Sequence, residues 1–254
     1  MFATRITYSA IFSFSVFVSY DSFSQSGMIQ RYEAGINAGA YIYQGDLTPH
    51  RLGSVETVQP GIGISGTGIL NERFSVRAMF VFARVAANES IYLTPAWRQQ
   101  RNFSFAASVK ELGLSFHWNL FGTNYEAVRY EPYVFGGAAV AMINTTSNYS
   151  NVNWAYFGEL SEVQSGLAVD IVMPSRKIIP VFPVGAGARY HVSNRIVLNV
   201  EGAYRFMHND YVDGFSKSAN PNLKDHYYSI TIGASYKFFT KEKYGCKATS
   251  GFQL

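Results

Sequence analysis

Five histidines are the residues of this 254-residue chain best suited to acid–base or metal chemistry. They are His50, His117, His191, His208 and His226. No two of them have the H-x-x-x-H spacing that places two imidazoles on one helical face for a metal ion. His117 and His191 lie on the polar sides of alternating segments, so we predict hydrogen-bonded interior histidines there. The single cysteine, Cys246, excludes an internal disulfide and a multi-thiolate metal site.

The strongest candidate for an enzyme or cation site is the group His208, Asp210 and Asp213. A histidine with a carboxylate is a pairing that a hydrolase can use, and Asp210-x-x-Asp213-Gly214 offers oxygens to Ca²⁺. Two carboxylates are too few for the roughly six to eight oxygens that Ca²⁺ takes, and Asp followed by Gly is typical of a turn. We therefore predict no catalytic, cofactor-binding or metal site, and an enzyme is the least favoured function.

Two other binding classes are also disfavoured. Gly61-x-Gly63-x-x-Gly66 imitates a dinucleotide-binding fingerprint, but it lies inside an alternating segment with no helix after it. Glycines in a strand more often mark bends or close packing. The net charge is only +4 and there is no basic block of five or more residues, so we predict no nucleic-acid partner and identify no small-molecule substrate.

The secondary structure of the chain is predicted to be mostly strand. Eight segments have apolar residues at every second position, whereas helical periodicity is weak almost everywhere. We predict strands over residues 32–43, 61–70, 74–84, 110–121, 130–143, 179–192, 196–206 and 229–238. Most exceed the usual strand of about five or six residues and approach the ~9–11 that cross a bilayer. Short links alternate with long ones, and the long links cover 44–60, 85–102, 144–177 and 207–225. Both faces of the fifth segment are apolar, so its orientation stays open.

The composition of the two faces separates a membrane barrel from a soluble sandwich. In a soluble sandwich the polar face meets water and is rich in Lys and Glu. Here it is mostly Gly, Ser, Asn and Thr, with a few charges of both signs: Glu33, Arg77, Glu111, Arg189, Glu201, Arg205 and Lys237. A narrow lumen requires small residues and paired charges. We predict an all-β fold, a closed antiparallel up-and-down transmembrane β-barrel of about eight strands, rather than a soluble sandwich.

Aromatic residues at the strand ends fit the two interfaces of a membrane. The predicted girdle residues are Tyr32, Tyr43, Trp118, Tyr130, Tyr190, Tyr204, Tyr228 and Tyr236.

The N-terminus predicts export. Arg5 precedes an apolar stretch over 6–20, and Ser22-Phe23-Ser24 fits a small-x-small cleavage site. We predict a signal peptide over 1–25, a barrel over 26–239 and a polar C-terminal extension over 240–254, in the cell outer membrane and in contact with its lipid. The extension follows an aromatic strand end at Tyr236-Lys237-Phe238-Phe239, where bacterial barrels usually stop.

An ordered set of motifs resembles the PorG-like outer-membrane barrels of Bacteroidota. These motifs are Tyr41-Ile42-Tyr43-Gln44-Gly45-Asp46-Leu47, Arg101-Asn102-Phe103-Ser104-Phe105, Tyr133-Val134-Phe135-Gly136-Gly137, Pro183-Val184-Gly185-Ala186-Gly187-Ala188-Arg189-Tyr190 and Asp210-Tyr211-Val212-Asp213. The resemblance implies a small non-enzymatic barrel that is a component or accessory of the type IX secretion system and contacts periplasmic ring proteins.

The alternative is a structural or adhesive surface protein that binds external ligands through its long loops. The link 144–177 is rich in Asn and contains Trp154, Tyr156 and Phe157. It fits either an extracellular partner surface or a self-packed cap over the barrel.

Overall fold

The computed structural model describes residues 31–49, 53–121, 124, 129–158, 161–172, 178–207, 212–219 and 225–239. The predicted signal peptide over 1–25 and the predicted extension over 240–254 lie outside the described residues. The same is true of His50, His208, Asp210 and Cys246.

Eight antiparallel strands form a closed barrel, each paired with the next along the chain. They are β1 Arg31–Gln44, β2 Gln59–Ile69, β3 Phe74–Asn88, β4 Ser104–Asn119, β5 Tyr130–Asn148, β6 Ile178–His191, β7 Ile196–Met207 and β8 His226–Phe239. The barrel closes where β1 pairs with β8, from Arg31↔Phe239 to Gln44↔His226. Closure leaves no unpaired sheet edge, as a bilayer demands. The predicted fold class is confirmed, and the soluble sandwich was the wrong alternative.

The apolar side of each strand points outward. On β4, Leu112, Leu114 and Phe116 are 63%, 60% and 47% exposed, whereas Glu111 and His117, which flank this run, are buried. In water such an arrangement would leave a large apolar surface hydrated and would bury charges inside, the reverse of a soluble fold. The outer surface therefore faces lipid, and the predicted outer-membrane location is confirmed.

The height of this apolar belt matches a bilayer. On β5 the outward face is apolar from Tyr130 to Met142. At about 3.3 Å per residue and a tilt of about 40°, that stretch rises ~30 Å. Exposed Tyr32, Trp118 and Tyr130 lie at the end with the short links, as predicted for a girdle. The expectation for Tyr43 was wrong, because its ring is completely buried inside the barrel.

Parts of two segments that we predicted as links, 85–102 and 144–177, are strands in the structure. β3 continues to Asn88, β4 begins at Ser104, and β5 continues to Asn148, so three paired strands extend beyond the belt. In this extension the apolar residues change sides. Val85 and Phe105 point inward and are buried, while Arg84 points outward and is exposed. Where the strands leave the lipid, the apolar residues therefore move from the outward to the inward positions. Because of this change in the pattern, the sequence did not predict that the strands continue.

All of the described helices lie in the long links at one end of the barrel. They are two 3₁₀ turns, Val55–Thr57 and Glu89–Ile91, and three α-helices, α1 Trp97–Arg101, α2 Trp154–Phe157 and α3 Glu162–Val172. None of the helices among the described residues is both long and apolar enough to cross a membrane. Long loops mark the extracellular end of an outer-membrane barrel and short turns the periplasmic end, which orients the molecule.

Candidate functional site

Charged side chains fill the part of the lumen nearer the periplasmic turns, and we call them the charged layer. Its members are Glu33, Arg77, Glu111, Glu131, Arg189, Glu201, Arg205 and Lys237. Each is at most 8% exposed. Seven of them are the predicted lumen charges. Among the described strands, four carboxylates face four cations, so the layer has no net charge.

Two arginines of the layer form short ion pairs across the lumen. Arg77 Nη1 lies 2.7 Å from Glu201 Oε2, and Arg189 Nη2 lies 2.6 Å from Glu33 Oε2. The members of each pair come from strands on different sides of the lumen, β3 with β7 and β6 with β1. Charge-assisted contacts of this length offset the several kcal/mol that burying each ion costs.

Arg205 is the most enclosed cation of the layer. Its Nε donates to Glu111 Oε2 at 2.8 Å, and its Nη1 donates to the Ser229 hydroxyl at 2.8 Å. The guanidinium carbon lies 5.2 Å from the ring centres of both Tyr41 and Tyr227. The Tyr227 hydroxyl also donates to Glu111. Hydrogen bonds and ring faces thus surround a cation that is only 1% exposed.

Glu131 is the functional residue that the sequence analysis missed, because the orientation of β5 was left open. It is fully buried, with His191 Nε2 at 3.0 Å and Arg189 Nε at 3.9 Å. The other ring nitrogen of His191 lies 3.4 Å from Lys237 Nζ. The imidazole therefore sits between a carboxylate and an ammonium. The signal available in the sequence was that Glu131 alternates in phase with Tyr133 and Phe135, which are both buried.

His117 is also an interior residue, as predicted. Its Nε2 lies 2.8 Å from the Ser115 hydroxyl, and its ring stacks on Phe135 with a centre separation of 4.9 Å. Across the described residues, no group of three or more His, Cys, Asp or Glu side chains is arranged to hold a metal ion. Of the trio His208, Asp210 and Asp213, only Asp213 lies within the described residues.

Little free volume remains in the charged layer. A cavity beside Glu111 and Arg205 measures about 10 Å³, roughly the space that one water molecule needs. The layer therefore works as a plug that links opposite walls.

The glycine motif of β2 serves packing. Gly61 leaves room for the Tyr41 ring, and Gly63 leaves room for the Asn37 amide. A β-carbon at either position would collide with these inward side chains, so the spacing reflects strand packing against the lumen.

Above the charged layer the lumen becomes apolar, and we call this part the upper core. It includes Tyr41, Tyr43, Leu47, Val85, Phe103, Phe105, Ile143, Val152, Leu167, Val181, Val212 and Phe215. Each of the four long links contributes to it: Leu47, Phe103, Leu167 and Phe215 come from successive links. The rings of Phe103 and Phe215 stack at 4.3 Å. The links thus form a cap that packs down into the barrel mouth.

A buried glutamate ties three of these links together. Glu89 is fully buried and accepts hydrogen bonds from Arg98 Nη1 at 2.8 Å and Arg101 Nη2 at 2.6 Å. Arg98 also donates to the backbone oxygens of Asp46 and Thr48, in the β1–β2 link. Arg101 in addition donates to a backbone oxygen in the β7–β8 link, at 3.3 Å. Loss of the carboxylate would release both arginines together.

Asp170 of α3 makes the second tie of the cap. Its carboxylate accepts from the backbone N–H groups of Ser216, Lys217 and Ser218 and from the Ser218 hydroxyl, at 2.6–3.2 Å. Gly166, one turn earlier, permits the close approach of the Lys217 backbone. The β5–β6 link is therefore fixed to the β7–β8 link.

Two carboxylates share one phenol at the floor of the cap. The Tyr43 hydroxyl lies 2.8 Å from Asp213 Oδ2 and also contacts Asp225 Oδ1. Asp213 is fully buried, and burial, followed by the neighbouring Asp225 charge, raises its pKa well above the usual value. A phenol has one proton, so a carboxylate pair around it favours a protonated partner.

The β5–β6 link has structural features of both alternatives that the sequence leaves open. Val152 and Leu167 are buried in the upper core, as in a self-packed cap. Trp154 and Tyr156 remain 40% and 58% exposed, as in a contact surface. Asn153 fixes α2 to α1, because its backbone N–H and its side-chain amide both donate to Gln100.

Comparison with known proteins identifies a family. A family model described as a domain of unknown function, DUF6089, matches residues 9–241. No curated protein matches the chain. The attachment invasion locus protein Ail of Yersinia pestis, in complex with the heparin analogue sucrose octasulfate, is 13% identical, with a TM-score of 0.45 over 83% of this chain and 100% of that chain.

Two further solved structures are similar to the same degree. Neisserial surface protein A is 13% identical, with a TM-score of 0.44 over 82% of this chain and 97% of that chain. The outer membrane protein OprG of Pseudomonas aeruginosa is 11% identical, with a TM-score of 0.42 over 84% of this chain and 97% of that chain.

Proposed function

The chain belongs to the DUF6089 family, and we propose that it is a non-conducting, non-enzymatic outer-membrane barrel that acts through protein contacts at its two ends. The filled lumen is the observation that supports this proposal most. The charged layer links opposite walls, and the upper core closes the extracellular mouth. A barrel of about eight strands has an interior just wide enough for side chains. The end surfaces are then the parts available to other molecules.

The partner role that we propose is that of an accessory of the type IX secretion system. The support is the ordered resemblance to PorG-like barrels. Its first motif, from Tyr41 to Leu47, is buried in the upper core and builds the fold. A partner would therefore meet other residues.

The periplasmic end has a surface that suits a ring protein. Arg73, Arg129 and Arg195 are exposed on the three turns at this end, with Glu72 beside the first. This basic rim fits a partner with an acidic face, because complementary charge steers and orients docking.

Affinity purification of the full chain from detergent-extracted membranes tests the proposal. We expect periplasmic ring components to co-purify with the wild type and to be lost from the charge-reversal variant R73E/R129E/R195E. The variant W154A/Y156A, altered at the other end, is the matched control and should retain them. Normal type IX secretion in a deletion strain, with no ring component recovered, would reject the secretion role.

A second function is favoured by one feature of the extracellular end. Residues 143–158 contain no charged side chain and present Trp154 and Tyr156 to solvent. Aromatic and amide side chains of this kind are enriched in adaptable contact surfaces. An adhesive role predicts that W154A/Y156A abolishes cell binding to an external surface and leaves secretion unchanged.

A further inference from the structure

Two cations lie alone on the outward face of the barrel. Arg84 of β3 and Lys110 of β4 are exposed and point away from the lumen. On the outward faces of the eight strands, as far as the structure describes them, no other Lys or Arg occurs. Neither of the two forms an ion pair with a carboxylate of the described residues.

The strand register makes them neighbours. Lys110 pairs with Phe82, and Arg84 pairs with Ser108, so the two cations are diagonal neighbours on one face. Such neighbours lie about 7–8 Å apart, within reach of long side chains. Like charges this close repel one another, so the bare pair is unfavourable and an anion between them would relieve it.

The position of the two cations along the barrel axis indicates which anion they bind. One residue pair below them, Leu112 of β4 is opposite Phe80 and Val140, and all three are exposed and apolar. Above the cations the outward face becomes polar, with Asn144 opposite Ser108. The cations therefore stand at the upper edge of the lipid belt, where the phosphates of outer-leaflet headgroups lie.

We propose that Arg84 and Lys110, with Ser108 and Asn144 beside them, bind the phosphate of a lipid headgroup in the outer leaflet. Arginine offers a fork of N–H donors to phosphate oxygens, and lysine extends its ammonium from an apolar stem toward the headgroups. The serine hydroxyl and the asparagine amide supply further donors. The acyl chains of the same lipid lie against Phe80, Leu112 and Val140.

The test compares lipid binding by the purified full chain in mixed micelles. The probes are phosphatidic acid, phosphatidylcholine of the same chain length, and inorganic phosphate alone. The variant R84Q/K110Q removes both cations. The variant K217Q removes an exposed cation of the cap, outside the lipid belt, and is the control. Heat-modifiable gel migration verifies that each variant is folded.

We expect phosphatidic acid to bind the wild type more tightly than phosphatidylcholine, and salt to weaken the difference. At about 1 kcal/mol for each cation near a charged surface, R84Q/K110Q should bind phosphatidic acid roughly 25-fold more weakly. K217Q should bind like the wild type.

Equal binding by the wild type and R84Q/K110Q would overturn the proposal, and so would an equal loss in K217Q. Inorganic phosphate that competes fully at micromolar concentration would overturn the assignment to a lipid.

Discussion

The charged layer and the upper core lie in the same lumen and are equally buried, yet different forces hold them. In the charged layer, carboxylates and cations from opposite strands pair across the barrel. In the upper core, loop residues such as Leu47 and Phe215 pack against strand residues such as Phe105, and buried carboxylates tie the loops together.

This difference follows from the kind of chain segment that forms each region. The lower lumen is lined by strands alone, whose small inward residues leave room for long charged side chains. The mouth is closed by four links that must lose conformational freedom. Apolar burial offsets that loss, and the hydrogen bonds of Glu89 and Asp170 fix the links to one another. The stability of the charged layer should therefore depend on each single charge. The order of the cap should depend on the contacts that hold the links in place.

The largest effect is expected in the charged layer. Arg205→Met leaves Glu111 buried without its cation, and removal of one partner of a buried ion pair costs about 3–5 kcal/mol. The free energy of unfolding, measured by urea titration with heat-modifiable migration as the readout, should fall by that amount. The double variant R205M/E111L should recover most of the loss, since an apolar pair is often neutral. A single variant as stable as the wild type would contradict the role given to the layer.

The next effect is local to the cap. Glu89→Gln weakens the contacts to Arg98 and Arg101, and hydrogen bonds to charged groups contribute about 1.5–3 kcal/mol. We expect faster proteolysis of the extracellular links, with little change in barrel unfolding. Glu56→Gln, an exposed carboxylate in the same cap, is the control and should behave like the wild type. Equal proteolysis of both variants would show that Glu89 does not hold the links.

A smaller, pH-dependent effect is expected at the floor of the cap. The folded pKa of Asp213 is raised because the group is buried and lies near Asp225. A raised pKa means that the stabilising, protonated form is fully present below the unfolded pKa of about 3.9 and is lost as the pH rises through the folded value. Proteolysis of the cap should therefore increase with pH.

The amide variant isolates that titration. Asp213→Asn cannot ionise, so the cap of this variant should show a flatter pH dependence than the wild type. An identical pH profile for the two proteins would remove Asp213 as the cause.

The smallest effect is expected on the exposed surface of the cap. Trp154→Ala and Tyr156→Ala remove exposed rings, so each should change the free energy of unfolding by less than about 0.5 kcal/mol. A larger loss in urea titration would mean that these rings stabilise the cap and are not free for a partner.

The alternation of residues predicted the barrel and most of the charged layer because lipid and lumen impose opposite demands on successive residues. Leu112 and Glu111 cannot exchange sides without exposing a charge to lipid. Glu131 was missed because the outward face of β5 and its inward neighbours are both apolar, so period-two patterning gives no direction there.

The cap could not be predicted in the same way. Above the belt the outward face meets water, so Val85 and Phe105 become the inward residues and the alternation changes phase. A segment in which the alternation changes phase is easily taken for a loop when only the sequence is known. The ties through Glu89 and Asp170 join residues far apart in sequence, and no local spacing encodes them.

Planar-bilayer recording of the purified full chain tests the sealed lumen most directly. With the charged layer and the upper core both in place, we predict no discrete current steps above the baseline of the lipid alone. Stable, stepwise ion conductance by the folded wild type would contradict the account, because ions would then be crossing a lumen that these side chains are said to fill.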